Sequence, residues 1–431
     1  MKSVIIGGIE NEQINFDYTM TELANLAAAD NMEVVGEVRQ NIEKPVSATY
    51  FGKGKVDEIA RQAEMLDAEA LIVNDELLPT QIRNLEEETG LDIIDRTALI
   101  LDIFASRAHT RVAKLQVKIA RLQYQLPRIR TASINKMDQQ TAGGNTGGGF
   151  TNRGTGETQI ELNRRVIQKQ ISSLRKELKE VQRDNETQRK KRKKSDIKSV
   201  ALVGYTNAGK STTMNNVLDL LEINDSKRVF EKDMLFATLD TYVRKIVLPD
   251  KKSFILSDTV GFVSKLPHQL VEAFKSTLQE AAEADLLIQV IDISDPNYRQ
   301  MIKTTEKTLA EIGVDGIPMI YAFNKADKAG IPYPSVEGNQ FTYCARDQKS
   351  IEMLLSILKK ELFKDYETET FLIPFQDGRY LDLLNKKANI KKTDYQADGT
   401  LITAEVAPKL KQQLAKYIEK RMWLLKVTFF F

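Results

Sequence analysis

Short apolar runs and amphipathic stretches alternate over the first hundred residues of the chain. The apolar runs predict strands, and the stretches between them, in which apolar positions recur every three or four residues, predict helices. The predicted strands lie at 4–6, 34–38, 70–73 and 92–94, and the predicted helices at 20–29, 55–66 and 80–88. This alternation is typical of a mainly parallel sheet covered by helices. We therefore predict a small α/β domain over residues 1–96.

A second pattern, with one apolar stripe in each of two long helices, covers residues 97–194. The first helix is predicted at 97–126, and a glycine-rich loop at 143–156 separates it from the second. The stripes consist of Ala108, Val112, Leu115, Ile119 and Leu122, and of Ile167, Ile171, Leu174, Leu178 and Val181. Spacings of three and four residues place each stripe on one helix face. We predict a long antiparallel helical hairpin in which the two stripes bury each other.

Positive charge is concentrated on this predicted hairpin. The second helix ends in six consecutive basic residues at 189–194, and a basic stripe runs beside the first apolar stripe. The basic stripe consists of Arg107, Arg111, Lys114, Lys118 and Arg121. A stripe, a terminal cluster and a glycine-rich loop together suit the phosphates of structured RNA, which proteins recognise largely by shape and backbone. The alternative is that the charges form a solvated linker before the next domain.

Strands and helices alternate again over residues 195–366, and a small α+β pattern follows at 367–431. The predicted strands of the larger region lie at 200–203, 243–247, 254–256, 286–291, 319–323 and 341–344. A Pro-Asp-Lys turn at 249–251 makes the second and third of them a hairpin, so that one edge of an otherwise doubly wound sheet is antiparallel. The smaller region is predicted to have strands at 372–374 and 401–406 and helices at 379–388 and 408–420.

The first chemical motif stands between a predicted strand and a predicted helix and matches G-x-x-x-x-G-K-[ST]. Its residues are Gly204, Tyr205, Thr206, Asn207, Ala208, Gly209, Lys210 and Ser211. The glycines let the backbone fold around a β-phosphate with its N–H groups turned inward. We predict that the Lys210 ammonium contacts the β- and γ-phosphates and that the Ser211 hydroxyl is a ligand of Mg²⁺. By itself the motif predicts only phosphate binding.

Three later loops, each after a predicted strand, narrow the ligand to GTP. They consist of Asp258, Thr259, Val260 and Gly261; of Asn324, Lys325, Ala326 and Asp327; and of Cys344, Ala345 and Arg346. In the first, the acid is predicted to hold Mg²⁺ through a water and the Gly261 amide to contact the γ-phosphate. In the second, Asp327 can accept hydrogen bonds from N1–H and the 2-amino group of guanine, which adenine lacks in that arrangement. The third could donate a backbone N–H to guanine O6.

A further segment should close over the γ-phosphate. It consists of Phe236, Ala237, Thr238, Leu239 and Asp240. Thr238 is predicted to supply the second Mg²⁺ hydroxyl, with Thr241 as the alternative. The predicted catalytic residues are therefore Lys210, Thr238 and Gly261, and the predicted metal ligands are Ser211 and Thr238.

Taken together, these motifs resemble those of the bacterial HflX GTPases. The resemblance includes three upstream segments, at 48–57, 95–104 and 153–159, and extends to about residue 420. It implies a ribosome-associated GTPase that binds the large ribosomal subunit, with the basic hairpin and the glycine-rich loop reaching ribosomal RNA. Members of this family are linked to splitting stalled or stressed ribosomes. The fold it implies is the one predicted above, with a doubly wound P-loop GTPase domain in the centre.

The sequence departs from the family's pattern at a few positions, and one position shapes the expected mechanism. Cys344 stands where serine is usual, and Tyr242 where threonine is common. Many GTPases place a glutamine directly after the Asp-x-x-Gly motif to orient the attacking water. Here that residue is Phe262, so we predict slow hydrolysis alone and faster turnover with a partner, the ribosome being favoured. In some related GTPases the residue at the position of Asn207 helps to hold K⁺, which we state as a hypothesis.

The length and composition of the chain exclude several other classes of protein and of site. The chain has 431 residues, too many for one ordinary core, and its net charge of +2 points to no acidic partner by itself. One cysteine and two distant histidines leave neither a disulfide framework nor a His/Cys metal site, which fits a reducing cytosol. No uncharged apolar stretch approaches the ~20 residues of a membrane span. We expect a cytoplasmic monomer, with a peripheral membrane contact of the Phe-rich end left open.

Three alternatives remain open at this point. The first is a GTPase that serves tRNA modification or ribosome assembly. The second is a GTP-dependent RNA-binding or scaffold protein with little turnover, which Phe262 keeps open because it cannot polarise water. The third is an additional ATP activity of the N-terminal half, for which the glycines at 52–54 and 143–156 form no complete nucleotide motif.

Overall fold

The computed structural model describes residues 1–10, 15–129, 152–194, 197–222, 236, 241–265, 279–314 and 316–419. The N-terminal domain is a four-stranded parallel sheet in the order β2-β1-β3-β4. Its elements are β1 (Lys2–Glu10), α1 (Phe16–Ala29), β2 (Met32–Asn41), α2 (Lys53–Leu66), β3 (Ala70–Val73), α3 (Pro79–Thr89), β4 (Asp92–Asp95) and α4 (Arg96–Arg107). Apolar side chains of β1 alternate between two cores, one under α1 and α4 and the other under α2 and α3. The parallel α/β sheet predicted from the alternation is confirmed.

The single helix predicted at 97–126 is wrong, because the chain breaks between α4 and α5 (Arg111–Gln125). Ala108 adopts an extended backbone, and the Thr110 Oγ1 caps α5 by accepting a hydrogen bond from the Ala113 N–H at 3.2 Å. A side-chain acceptor at this position satisfies one of the free N–H groups of a new helix and so favours a restart. As a consequence Arg107 belongs to α4 and not to the basic stripe of α5.

The second helix of the predicted hairpin is α6 (Asn152–Lys194), which packs against α5. Its 43 residues make it about 65 Å long at 1.5 Å per residue. Arg111 Nη2 of α5 lies 2.7 Å from Glu177 Oε1 of α6. Of the predicted glycine-rich loop, residues 143–151 lie outside the described residues. Residues 152–156 already form the first turn of α6, since glycine disfavours a helix by only about 1 kcal/mol per residue.

The central domain is a seven-stranded sheet in the order β10-β11-β9-β8-β5-β7-β6, parallel except at its two edges. Its elements are β5 (Lys198–Gly204), α7 (Lys210–Leu220), β6 (Tyr242–Val247), β7 (Ser253–Asp258), α8 (Gln279–Ala282), β8 (Leu286–Asp292), α9 (Tyr298–Glu311), β9 (Met319–Asn324), α10 (Ala326–Ala329), β10 (Ser335–Glu337), β11 (Gln340–Thr342) and α11 (Gln348–Leu362). The doubly wound sheet and its antiparallel edge at β6–β7 are confirmed. The short hairpin β10–β11 adds a second antiparallel edge that the sequence did not predict.

The C-terminal domain is a three-stranded antiparallel sheet in the order β12-β14-β13 with helices on it, as the α+β pattern predicted. Its elements are β12 (Glu367–Ile373), α12 (Gly378–Lys387), β13 (Asn389–Gln396), β14 (Gly399–Val406) and α13 (Pro408–Gln413). Strand β13 was not predicted because its sequence lacks the alternation of apolar and polar residues that marks a strand. Its only large apolar side chains are Ile390 and Tyr395. The Lys252 ammonium of the central domain lies 2.7 Å from Glu405 Oε1 on this sheet.

One buried core joins the N-terminal domain to the central domain. The rings of Phe104 on α4 and Phe236 meet edge to face, with centroids 4.5 Å apart. Side chains from both domains share this core, including Val4, Leu23, Ile103, Val203, Tyr205 and Phe262. In the part of the chain that the structure describes, no helix combines the length and the apolarity needed to cross a membrane.

Candidate nucleotide-binding site

The loop between β5 and α7 has the backbone that a phosphate loop requires. Gly204 and Gly209 adopt φ of +143° and +98°, where side chains other than hydrogen are strained. A Cβ built on Gly204 would lie 2.3 Å from the Val290 carbonyl oxygen, and one on Gly209 would lie 2.1 Å from Asn324 Nδ2. Asn207 is exposed and also left-handed, with φ of 60°. The two glycines therefore bring the loop against β8 and β9, and only glycine fits there.

Lys210, the first residue of α7, turns its ammonium back onto this loop. Its Nζ donates hydrogen bonds to the carbonyl oxygens of Gly204 at 3.1 Å and Tyr205 at 2.8 Å. Only 5% of the residue is exposed. Burial lowers the pKa of Lys210 to about 8, and the nearby Asp258 carboxylate opposes this only in part. A phosphate beside the ammonium would stabilise the protonated form.

Ser211 and Asp258 meet at the predicted magnesium position. The Ser211 hydroxyl donates a hydrogen bond to Asp258 Oδ2 at 2.6 Å, at the end of strand β7 that pairs with β5. Asp258 is 1% exposed. A hydroxyl beside a carboxylate fits Mg²⁺, which takes hard oxygen ligands and keeps several waters. Thr259 and Val260 serve the fold, because the Thr259 hydroxyl donates to the Leu202 carbonyl oxygen at 2.7 Å and Val260 is buried.

Gly261 and Phe262 pair with the phosphate loop backbone. The Thr206 N–H donates to the Phe262 carbonyl oxygen at 2.8 Å, and the Phe262 N–H donates to the Gly204 carbonyl oxygen at 3.1 Å. A Cβ built on Gly261 would lie 2.8 Å from Thr206 Cα and 3.0 Å from Lys210 Nζ. Phe262 is 2% exposed, with its side chain in the core shared by two domains. The structure thus brings Gly261 beside Lys210 and turns Phe262 away into the core.

Asn324 ties the predicted guanine loops to the phosphate loop. Its Nδ2 donates to the Ala208 carbonyl oxygen at 2.8 Å, and its Oδ1 accepts from the Ala345 N–H at 2.9 Å. The next residue, Lys325, is left-handed and lies 2.6 Å from Asp292 Oδ2 through its ammonium. A single buried amide therefore fixes three of the predicted loops relative to one another.

The remaining guanine-loop residues lie at the surface end of the site. Asp327 and Arg346 are exposed, whereas Ala326 and Cys344 are buried. The Cys344 thiol hydrogen-bonds to the Asp327 carboxylate, and burial raises the pKa of this thiol. The Cys344 N–H donates to Ser350 Oγ at 3.3 Å.

The segment predicted to close over the γ-phosphate is described only at Phe236, which is buried against Phe104. Ala237, Thr238, Leu239 and Asp240 lie outside the described residues. Sequence reasoning missed Glu22 and Arg96 of the N-terminal domain, whose side chains reach Tyr205 and the loop after Gly261. No spacing rule connects them, since about 180 residues separate Glu22 from Tyr205.

A doubly wound sheet whose β5 enters a glycine phosphate loop, with a carboxylate at the end of the neighbouring strand, defines a P-loop NTPase. Family models described as GTP-binding GTPase N-terminal, GTP-binding GTPase Middle Region and 50S ribosome-binding GTPase match residues 17–105, 107–192 and 199–325. The GTPase HflX of Caldanaerobacter subterraneus is 40% identical over 416 residues, covering 96% of this chain and 92% of that protein. The GTPase HflX of Alkalihalophilus pseudofirmus is 44% identical over 330 residues, covering 76% and 75%.

The chain belongs to the HflX family of GTPases. Among solved structures, it is similar to a GTP-binding protein from the archaeon Sulfolobus solfataricus in complex with GDP, with 25% identity and a TM-score of 0.42. That match covers 84% of this chain and 89% of the archaeal chain.

Proposed function

We propose that this GTPase binds the large ribosomal subunit through α5 and α6 and hydrolyses GTP there, in the rescue or splitting of stalled or stressed ribosomes. The observation that carries the proposal is the exposed basic face of α5, formed by Arg111, Lys114, Lys118 and Arg121. The opposite face of α5 is buried in the N-terminal core through Ala113, Val117 and Ala120. A basic face held rigidly in this way suits the phosphate backbone of ribosomal RNA. The family description, a 50S ribosome-binding GTPase, agrees with it.

At the nucleotide, we assign roles to seven residues of this chain. The Lys210 ammonium stabilises charge that develops on the β- and γ-phosphate oxygens, and the Gly261 N–H contacts the γ-phosphate. Asp327 accepts hydrogen bonds from the guanine N1–H and 2-amino group. Asn324 fixes the position of the guanine loops relative to the phosphate loop. Ser211 and Thr238 would hold Mg²⁺ directly, and Asp258 through a water; when bound, this ion neutralises phosphate charge.

The rate of hydrolysis should depend on the partner, because Phe262 supplies no group that orients water. Its side chain is buried in the core that also contains Tyr205, and its backbone pairs with that residue of the phosphate loop. A partner that orders the loops is then needed for fast turnover. Phe262 also supports a second candidate, a GTP-dependent RNA-binding or assembly factor with little turnover of its own.

We also propose that the exposed Asn207 side chain helps to hold K⁺ beside the phosphates, where the cation would add positive charge. Hydrolysis in potassium buffer should then exceed hydrolysis in sodium buffer of equal ionic strength. Equal rates in the two buffers would remove this proposal while leaving the others intact.

Co-sedimentation with purified large ribosomal subunits tests the proposed partner. With a non-hydrolysable GTP analogue, the protein should pellet with large subunits, and with GDP it should pellet at least about tenfold less, which corresponds to a coupling of about 1.4 kcal/mol. The small subunit is the control for nonspecific RNA binding. Equal binding to both subunits with both nucleotides would contradict the proposal.

A further inference from the structure

A buried ion pair of the N-terminal domain reaches the nucleotide loops. Glu22 on α1 and Arg96 at the start of α4 are paired and are 4% and 1% exposed. Arg96 Nη1 donates to Asn74 Oδ1 at 2.8 Å, and Arg96 Nη2 donates to the carbonyl oxygen and Oγ of Ser264 at 3.1 and 3.0 Å. Ser264 belongs to the central domain, three residues after Gly261. The pair therefore crosses from one domain to the other.

The Glu22 carboxylate also contacts the central domain directly. It accepts hydrogen bonds from the hydroxyls of Ser264 and of Tyr205, the second residue of the phosphate loop. The Tyr205 hydroxyl in turn lies 2.5 Å from the Ser264 backbone N–H, which donates to it. Burial beside Glu22 raises the pKa of Tyr205 well above its usual value, so the phenol stays a donor.

Stability alone does not explain this pair. Burying two charges costs desolvation energy that their attraction barely repays, and an apolar pair of similar size would often be as stable. An apolar pair could not make the hydrogen bonds to the N–H, hydroxyl and carbonyl groups of Ser264 and to the Tyr205 hydroxyl. The next residue is held as well, because Lys265 Nζ pairs with Asp75 of the N-terminal domain.

Gly261 connects this held segment to the phosphates. Its Cα lies within about 4.5 Å of Lys210 Nζ, one C–C bond of ~1.5 Å beyond the built Cβ at 3.0 Å. A phosphate oxygen bound by both the ammonium and the Gly261 N–H, at about 2.8 Å from each, places the two nitrogens about 4.6 Å apart when the angle at the oxygen is about 110°. Gly261 therefore lies close enough to Lys210 for its position to matter for a γ-phosphate, which GDP lacks.

We infer that Glu22 and Arg96 are positioning residues that hold the segment from Gly261 to Ser264 and thereby set the preference of the nucleotide site between GTP and GDP. The inference rests on the proposed contact between Gly261 and the γ-phosphate. Because coupling is reciprocal, GTP and GDP must in turn differ in how firmly they keep Ser264 on the N-terminal domain. Releasing Ser264 should therefore change the ratio of the two affinities.

The test is the ratio of dissociation constants for fluorescent GDP and a fluorescent non-hydrolysable GTP analogue, in the full-length protein. Ser264→Ala removes the hydroxyl without stranding a buried charge, and the double variant Glu22→Gln/Arg96→Met removes both charges together. Each should shift the ratio by at least about fivefold, the lower end of typical coupling, and both should shift it in the same direction because they release the same contact. A ratio within twofold of the parent protein in both variants would overturn the inference.

Arg128→Met is the matched control. Arg128 pairs with Asp95 inside the N-terminal domain at 3.0 Å and is also largely buried. This variant loses a comparable ion pair, so it should be destabilised yet keep the parent ratio; an equal shift there would mean general loosening and contradict the inference. Lys210→Ala tests the proposed site separately. If it binds both nucleotides as tightly as the parent protein, the site assignment fails, whatever the Ser264 variant does.

Discussion

At the scale of single residues, the site depends on an ammonium that is costly to bury. Lys210 keeps its charge through two backbone carbonyl oxygens and the field of Asp258. Those contacts only partly replace the lost water, so burial lowers the pKa of Lys210. A bound phosphate would stabilise the protonated lysine, because its negative charge would replace the lost hydration.

This state of Lys210 predicts a pH dependence of nucleotide binding. With the free-protein pKa at about 8, phosphates that favour the protonated form must draw a proton from solution above that pH. The affinity for GDP should then be level below about pH 7 and fall roughly tenfold between about pH 7 and about pH 9. Calorimetry in two buffers of different ionisation enthalpy should show proton uptake only on the alkaline side.

The control for that prediction is Lys210→Arg, whose guanidinium stays charged throughout the range and should take up no proton. Equal GDP affinity of the parent protein at both pH values, without proton uptake, would contradict the assigned environment of Lys210.

At the residue scale, the sequence predicts those parts of the candidate site whose chemistry is local. Lys210 and Ser211 follow from the spacing of one motif, and the structure brings them to Gly261 and Asp258. Glu22 and Arg96 could not be found in this way, because their partners are distant in sequence and a lone Glu in an amphipathic helix usually faces solvent. Phe236 reads as a loop residue in sequence, and only packing against Phe104 explains its burial.

At the scale of elements, α5 differs from the helix that its periodicity predicted. The stripe residues Leu115 and Ile119 are buried as expected, but Ala113, Gln116, Val117 and Ala120 are buried too. The helix therefore packs on two sides, against the N-terminal core and against α6. Helix periodicity reports apolar faces, and small residues such as Ala113 and Ala120 are too weakly apolar to reveal the second one.

The exposed charges of α5 are not equivalent, which gives a test of the proposed RNA contact. Arg111 pairs with Glu177 and Arg121 with Asp102, whereas Lys114 and Lys118 have no ion-pair partner in the described part of the chain. The double variant Lys114→Gln/Lys118→Gln should weaken large-subunit binding and lower the slope of log affinity against log salt by about 0.7–0.9 per lysine. Filter binding at several salt concentrations measures this slope.

Arg111→Gln/Arg121→Gln is the matched control, with the same change in net charge. Because those two arginines are already partly neutralised, their loss should cost less affinity, and GDP binding should be unchanged in both double variants. Equal losses in the two pairs would mean that net charge, and not the Lys114–Lys118 face, controls binding.

At the scale of the whole molecule, the N-terminal and central domains share one core, while the C-terminal sheet has its own. Polar contacts reinforce the shared boundary, including Asn15 Nδ2 to Asn297 Oδ1 at 2.8 Å. The layer pattern of each domain could be predicted from its alternation of strands and helices. The sequence could not predict that two domains share one core. Apolar periodicity shows which face of an element is buried but not which other element covers that face.

Truncating the shared core should therefore affect two domains at once. Phe104→Ala removes a buried ring from the boundary and should cost about 3–5 kcal/mol of the free energy of unfolding. Hydrogen exchange should show amides of β1 and β5 losing protection together, with β14 little changed. Phe371→Ala, in the separate C-terminal core, is the control and should give the opposite pattern. Loss of protection in β1 alone would contradict a shared core.

The central claim is that a ribosomal partner completes a GTPase whose own side chains do not orient the attacking water. The measurement that tests it most directly is GTP hydrolysis with and without purified large ribosomal subunits, with Lys210→Ala as the blank. We predict slow hydrolysis by the protein alone and a stimulation of at least about a hundredfold by large subunits, or about 2.7 kcal/mol of barrier, absent in the blank. Subunits that bind the protein without raising its hydrolysis rate would contradict the claim.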